Sequence, residues 1–213
     1  MSEIKTAVTS YIKGLADISA KLITRPAEFF KAMPKNNGYM APLLYVVIAS
    51  LLGTVLSIFI SMVARGAGIH YLSMAAIWLI IVPMISVILS FFAAGICYVI
   101  WNFTGSKENF ETSYRCLAYT HVLMPIAILL SIVPYLGLLG IAWWLFIMVV
   151  ATKEVHKASI KPALIAFGII AALAGLTYYN SVSSALQSKK HLEEFTRQLQ
   201  QMPGSPDLDS RER

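Results

Sequence analysis

Four stretches of this chain carry no Asp, Glu, Lys or Arg: Asn36–Ala64, Gly66–Ser106, Cys116–Thr152 and Pro162–Ser188, of 29, 41, 37 and 27 residues. A run of about 18 or more mostly apolar residues is long enough to cross the hydrocarbon core of a bilayer. All four exceed that length. Only 13% of the residues are charged, against roughly 25% in an ordinary globular domain. A water-soluble domain, a disordered chain and a disulfide scaffold are excluded, and the sequence predicts an all-α integral membrane bundle.

Dividing the stretches into helices gives five membrane spans at about 41–63, 72–101, 117–133, 135–151 and 162–179. The second stretch is too short for two crossings and a turn, so it is read as one tilted or Pro83-kinked span. The third is too long for one helix. Pro134, followed by Gly137 and Gly140, predicts a tight hairpin between its two halves, and Asn102–Arg115 is read as a polar loop. Residues 1–35 form a polar N-terminal segment. There Ile4, Val8, Tyr11, Leu15, Ile18 and Leu22 recur every three or four residues, one face of a helix. Lys5, Lys13 and Lys21 lie on another face, so this basic amphipathic helix is expected to lie on an anionic leaflet, or else to pack on the rest of the protein. Residues 180–213 form a polar tail, helical in composition over Ser184–Met202 and disordered near its end.

The net charge is +6. No basic patch with interleaved aromatics suggests nucleic acid, and the excess Lys and Arg suits the cytoplasmic side of a membrane. Counted over the loops, a cytoplasmic N-terminus places eleven positive residues inside and six outside. Membrane lipids are the expected surroundings.

Helices in lipid associate by close backbone approach at small residues rather than by hydrophobic burial. Ala49, Gly53, Ser57 and Ser61 are spaced four apart in the first span, and Ser86, Ser90 and Ala94 repeat that spacing in the second. In the fifth span Gly168 pairs with Ala172, and Ala171 with Gly175. These are expected packing faces, with a homo-oligomer face as the alternative use. Ionisable residues at membrane depth are functional by default, yet no Asp, Glu, Lys or Arg falls within the five spans. The polar candidates near the membrane are Asn102, His121, Glu154 and His156. There is no HxxxH, HExxH or Gly-rich phosphate loop, and Cys97 and Cys116 lack metal spacing. Neither catalytic residues, a metal nor a cofactor is expected.

One ordered set of short segments remains. Pro26-Ala-Glu-Phe-Phe-Lys-Ala-Met33 is followed by Gly38 and by Pro42-Leu-Leu44. Then come Gly105-Ser-Lys-Glu-Asn-Phe-Glu-Thr-Ser-Tyr-Arg-Cys-Leu-Ala-Tyr119, Pro134, Trp143, Lys153-Glu-Val-His156 and Lys161-Pro-Ala-Leu164. Over about Pro26–Tyr178 this resembles the bacterial members of the Yip family, five-span proteins named for eukaryotic relatives that interact with Rab/Ypt GTPases. The resemblance implies five helices with a cytoplasmic N-terminus in the bacterial inner membrane. The eukaryotic role in traffic between ER and Golgi does not carry over to a cell without those organelles. Functionally, the chain is expected to be a non-enzymatic organiser or recruiter of other membrane proteins. The alternative is a lipid-handling or small-molecule transport protein with a path between its helices.

Overall fold

A computed structural model describes residues 14–65 and 69–201, with the backbone alone described at 64–65, 69–73 and 200. Every regular element among them is helical. Helix α1 (residues 14–24) and α2 (Pro26–Ala32) precede α3 (Met40–Arg65), α4 (Ile69–Phe103), α5 (Phe110–Thr120), α6 (Leu123–Leu130), α7 (Leu138–Glu154) and α8 (Ile160–Gln201). Among the described residues, four segments are long and apolar enough to cross a membrane: Met40–Val63, Met74–Phe103, Phe110–Leu130 and Ile160–Leu199. Helix α7, with 17 residues, is slightly shorter.

The linkers show how the helices alternate in direction. At one end of the bundle the α2–α3, α4–α5 and α7–α8 linkers meet. There Glu111 accepts from the Asn37 and Gly38 amides at 2.8 and 2.7 Å, Ser159 N donates to Thr104 O at 3.0 Å, and Lys35 Nζ donates to Val155 O at 3.4 Å. At the opposite end the α6–α7 turn meets α8, where Tyr135 and Ser183 hydroxyls lie 3.3 Å apart. We call these the polar end and the turn end.

Helix α5 sits in the middle and is the most enclosed element. All nine residues from Thr112 to Thr120 are buried. This corrects the reading of Asn102–Arg115 as a loop, since the helix already begins at Phe110. Its start is set by Asn109, whose side chain accepts from Thr112 N at 2.9 Å, with Glu111 in the first turn.

The expected helix 117–133 is also not continuous. It breaks at His121–Val122, and α6 ends at Leu130. Pro125 explains the break. In an unbroken helix its ring would clash with the His121 carbonyl and remove a hydrogen bond, whereas here it falls in the first turn of α6, where no N–H is needed. Because the turn occupies 131–137, α7 starts at Leu138 and runs past 151 to Glu154. The second apolar stretch is one helix with Pro83 inside it.

The boundary drawn at 179/180 is absent as well. Nothing in Tyr179–Ser184 is a strong helix breaker, and α8 continues for 42 residues, about 63 Å at 1.5 Å per residue. That is twice a hydrocarbon core of about 30 Å. From Ser184 to Leu199 every residue but Leu186 is exposed, so half of α8 projects from the turn end.

At the N-terminus, α1 and α2 pack on the bundle. Leu22 is fully buried, Leu15 and Ile18 pack against the core, and the Ser19 hydroxyl lies 2.6 Å from that of Tyr45. The described part of the apolar stripe is thus turned towards protein, leaving no apolar face there for a leaflet. Ile4, Val8 and Tyr11 fall outside the described residues.

The small-residue faces divide. Ala49, Ser61, Ser90 and Ala94 are buried. A Cβ added at Gly53 would sit 3.1 Å from Ile128 Cδ1 and 3.4 Å from Met124 Cγ, so α6 closes on α3 there. In α8 the buried positions are Ala163, Phe167 and Ala171, and Gly175 lies against Leu138. Gly168 meets nothing and Ala172 is exposed. That pair is not a packing face, because the bulkier 163/167/171 face of α8 is the one turned to the bundle.

Gly53→Leu is therefore expected to lower the melting temperature of the detergent-solubilised protein, by the equivalent of about 1–3 kcal/mol of overpacking. Gly168→Leu should leave it unchanged. Equal effects in thermal melts would contradict this packing.

Candidate functional site

Two places gather the candidate residues. The first is the polar end, organised by α5. Its Glu111 and Arg115, one turn apart, hold the same short piece of linker. Glu111 accepts from two consecutive amides, and Arg115 donates from Nη1 to the Gly38 carbonyl at 2.8 Å. Gly38 has φ +71°, a left-handed conformation that suits a residue without Cβ. Thr112 donates to the Lys35 carbonyl at 3.3 Å, and Asn109 to Asn36 at 2.9 Å. Lys35 in turn pairs with Glu108. The conspicuous polar run 105–115 is thus a clasp on the segment that joins α2 to α3.

Beside the clasp, Trp101, Thr152, Ser106 and His156 are all buried. The indole N–H donates to Thr152 Oγ1 at 2.8 Å, and Thr152 passes its own proton to Met148 O at 2.8 Å. The His156 ring stacks on the indole with centroids 3.8 Å apart, and its Nδ1 lies 2.8 Å from Ser106 Oγ. Ser106 also accepts from Glu108 N at 3.1 Å, and the buried His156 Nε2 has no hydrogen-bond partner among the described residues. A serine beside a histidine invites a nucleophilic reading. Here Ser106 and His156 are both buried, with an indole over the ring, and the pair joins the α4–α5 linker to the α7–α8 linker. Glu154 fastens α2, with Lys31 Nζ at 3.7 Å and Lys157 Nζ at 3.8 Å. Asn102 is exposed, and its carbonyl merely closes the turn by accepting from Gly105 N at 3.1 Å.

The second place is a cavity of about 550 Å³ between α4, α5, α6, α7 and α8, within the range of about 300–1,000 Å³ typical of small-molecule sites. Ser86 and Ser90 of α4, His121 after α5, Met124 and Ala127 of α6, Gly140 and Trp144 of α7, and Ala174 and Tyr178 of α8 line it. Its wall is mostly apolar. Among the described residues, two buried polar atoms of the lining have no hydrogen-bond partner, His121 Nδ1 and Tyr178 Oη. The His121 ring lies beside the carbonyls of Leu117 and Ala118, at the break that Pro125 imposes. Tyr178 is wedged against Gly137, where an added Cβ would come within 2.5 Å of its hydroxyl. A smaller hollow of about 280 Å³ lies between α3, α4 and α6, lined by Gly53, Ser57, Trp78 and Met124 among others.

Of the residues singled out from the sequence, Ser86, Ser90 and His121 converge on the cavity. Glu154 and His156 meet at the polar end, and Asn102 joins neither. Sequence reasoning missed Arg115, Glu111, Trp101 and Tyr178. Asn109-x-x-Thr112 was the available signal for the first two, as a helix cap ahead of an acidic first turn.

Burial, and secondarily the Lys35 charge, pushes the His156 imidazole down to about 3. In an unfolded chain an imidazole takes up its proton near 6.5. Between these values the unfolded chain binds the extra proton, so stability should fall as pH drops below about 6.5, at up to about 1.4 kcal/mol per pH unit. Melts from pH 7 to 4 should show this slope, and His156→Gln should reduce it. A wild-type profile that stays flat would contradict a buried, neutral His156.

No curated protein and no solved structure matches the chain. The family model described as the Yip1 domain matches residues 20–179. That interval takes in the end of α1, all of α2, the clasp, the cavity and the bundle up to the point where α8 leaves it, and the chain is a membrane protein belonging to the Yip1 domain family.

Proposed function

We propose that the protein is a non-catalytic organiser that recruits other membrane proteins, in the inner membrane of a bacterium. The observation that carries this reading is the free half of α8. Leu192, Phe195 and Leu199 are 66, 56 and 43% exposed, and their spacing of three and four places them on one side of the helix. A continuous helix that leaves the bundle and carries an unoccupied apolar stripe is suited to helix-on-helix recruitment. Its partners would be other membrane proteins or a second copy. A photo-crosslinking residue at Phe195 or Leu199 should capture specific proteins in native membranes, while one at Glu194, on the opposite side, should not. Adducts with lipid alone would transfer the reading to lipid handling, the second reading, which the cavity favours.

The same proposal places five crossings in the membrane, with α7 as the fourth, and the polar end in the cytoplasm. Helix α7 is about 25 Å long at 1.5 Å per residue, close to the hydrocarbon thickness of about 30 Å. The direction of the helices puts Lys31, Lys35, Lys107, Lys153, Lys157 and Lys161 at one end, which favours that end as the cytoplasmic one. A membrane-impermeant maleimide should label Lys189→Cys from outside the sealed membrane, and Lys107→Cys only after permeabilisation. Cys97 and Cys116 are buried and should contribute little background. The reverse labelling pattern would overturn the orientation.

A further inference from the structure

The cavity supports an inference that does not depend on the recruiting role. We propose that it binds an acyl chain of a membrane lipid, with the lipid's oxygen-bearing end held by the Tyr178 hydroxyl. Three observations bear on the occupant. First, the cavity opens sideways. At the polar end α4 and α8 are joined by Trp101 against Phe167, with ring centroids 5.5 Å apart. Further along, the lining residues Leu89 of α4 and Ala174 of α8 are exposed, so the mouth between them faces the hydrocarbon and not water. A chain can slide in from the bilayer without crossing a headgroup layer.

Second, the wall is zoned by depth. Tyr178 lies 18 residues after the start of α8, about 27 Å along it at 1.5 Å per residue. In a core of about 30 Å this brings it near the far headgroup boundary, the level of lipid ester oxygens. Below it the wall is mostly apolar, through Ala174, Ile170, Ile141 and Met124, with Ser86, Ser90, Thr120 and His121 as its polar members. An amphiphile with oxygen at one end and methylenes behind it follows that order, whereas a polar solute would leave most of the wall unmatched.

Third, the Tyr178 hydroxyl is a buried donor with no partner among the described residues. Leaving such a group unmatched is costly in an apolar setting, and an ester, carboxyl or hydroxyl oxygen satisfies it. Gly137 permits the placement, because any side chain there would drive the phenol from its position.

The test uses the full chain reconstituted in phospholipid vesicles, with two probes carrying a diazirine in mid-chain, a phospholipid and a free fatty acid. After irradiation, adducts are mapped by mass spectrometry. The expected result is labelling at Met124 and Ile141 above that at the outward-facing Phe92 and Leu173, and the probe that gives it identifies the source of the chain. Ala174→Phe, which fills the mouth, should reduce cavity labelling to the outward-facing level. Tyr178→Phe keeps the shape and should weaken retention about fivefold, the loss of one hydrogen bond. Labelling of Met124 and Ile141 no higher than of Phe92 and Leu173 with both probes overturns the proposal. So does cavity labelling that persists in a folded Ala174→Phe protein. Should Ala174→Phe fail to fold, Tyr178→Phe decides, and unchanged retention removes the role assigned to the hydroxyl.

Discussion

The fold is organised around an enclosed helix that carries polar groups. Helix α5 is buried over nine consecutive residues, and one of them is Arg115, 1% exposed. A buried guanidinium is costly unless its protons are taken up. Its Nη1 donates to the carbonyl of Gly38, a residue with left-handed backbone, while its Nε has no partner among the described residues. Glu111, one turn earlier, accepts from the amides of Asn37 and Gly38, in the two preceding peptide units. Much else follows from this clasp. Fixing 37–38 fixes where α3 starts and where α2 ends, and it holds α2 against α7, where Glu154 meets Lys31.

The two ends of the molecule are built by different rules. At the polar end, hydrogen bonds and the Trp101 stack join three linkers and leave little room for movement. Toward the turn end the contacts are apolar and rely on small residues. Where α3 meets α6, Gly53 brings α3 into close contact with Ile128 and Met124. Where α4 and α8 separate, nothing of the protein fills the space, and the cavity results. A bundle tightly sewn at one end and open at the other presents its unfilled wall to the hydrocarbon.

Much of the architecture could be read from the sequence, because charge-free length is a direct consequence of the solvent a helix occupies. The spans of α3 and α4 follow from it, while the helical nature of the tail was legible from its composition and the helical spacing of its apolar residues. What escaped were features decided by tertiary context. The run 105–115 has the composition of a loop, and only its burial among α3, α4 and α7 makes a helix of it the better solution. The early break at His121 followed from Pro125, a signal present in the sequence that the more conspicuous Pro134 obscured. Small-residue spacing included Gly53, which meets α6, but also Ser57, which is exposed, and Gly168 and Ala172, which face away from the rest of the bundle, since the pattern does not say which of several stripes meets a neighbour. Ser86, Ser90 and His121 could be named individually, while their convergence with Tyr178 depends on helices far apart in sequence.

The polarity of α5 also bears on how the chain is assembled during synthesis. In an isolated helix at bilayer depth an arginine costs up to about 3 kcal/mol, and Thr112, Ser113 and Thr120 add to that. Such a segment gains little by partitioning from the translocation machinery into lipid alone. It gains once the Gly38 carbonyl and the flanks of α3 and α4 are in place to receive it. The order of the chain supplies them first: the linker, α3 and α4 emerge before α5, and α7 follows to close the remaining side. Insertion of the third apolar segment is therefore conditional on the folding of what precedes it, and a lesion in residues 37–38 would be felt as a topological error before it was felt as a loss of stability.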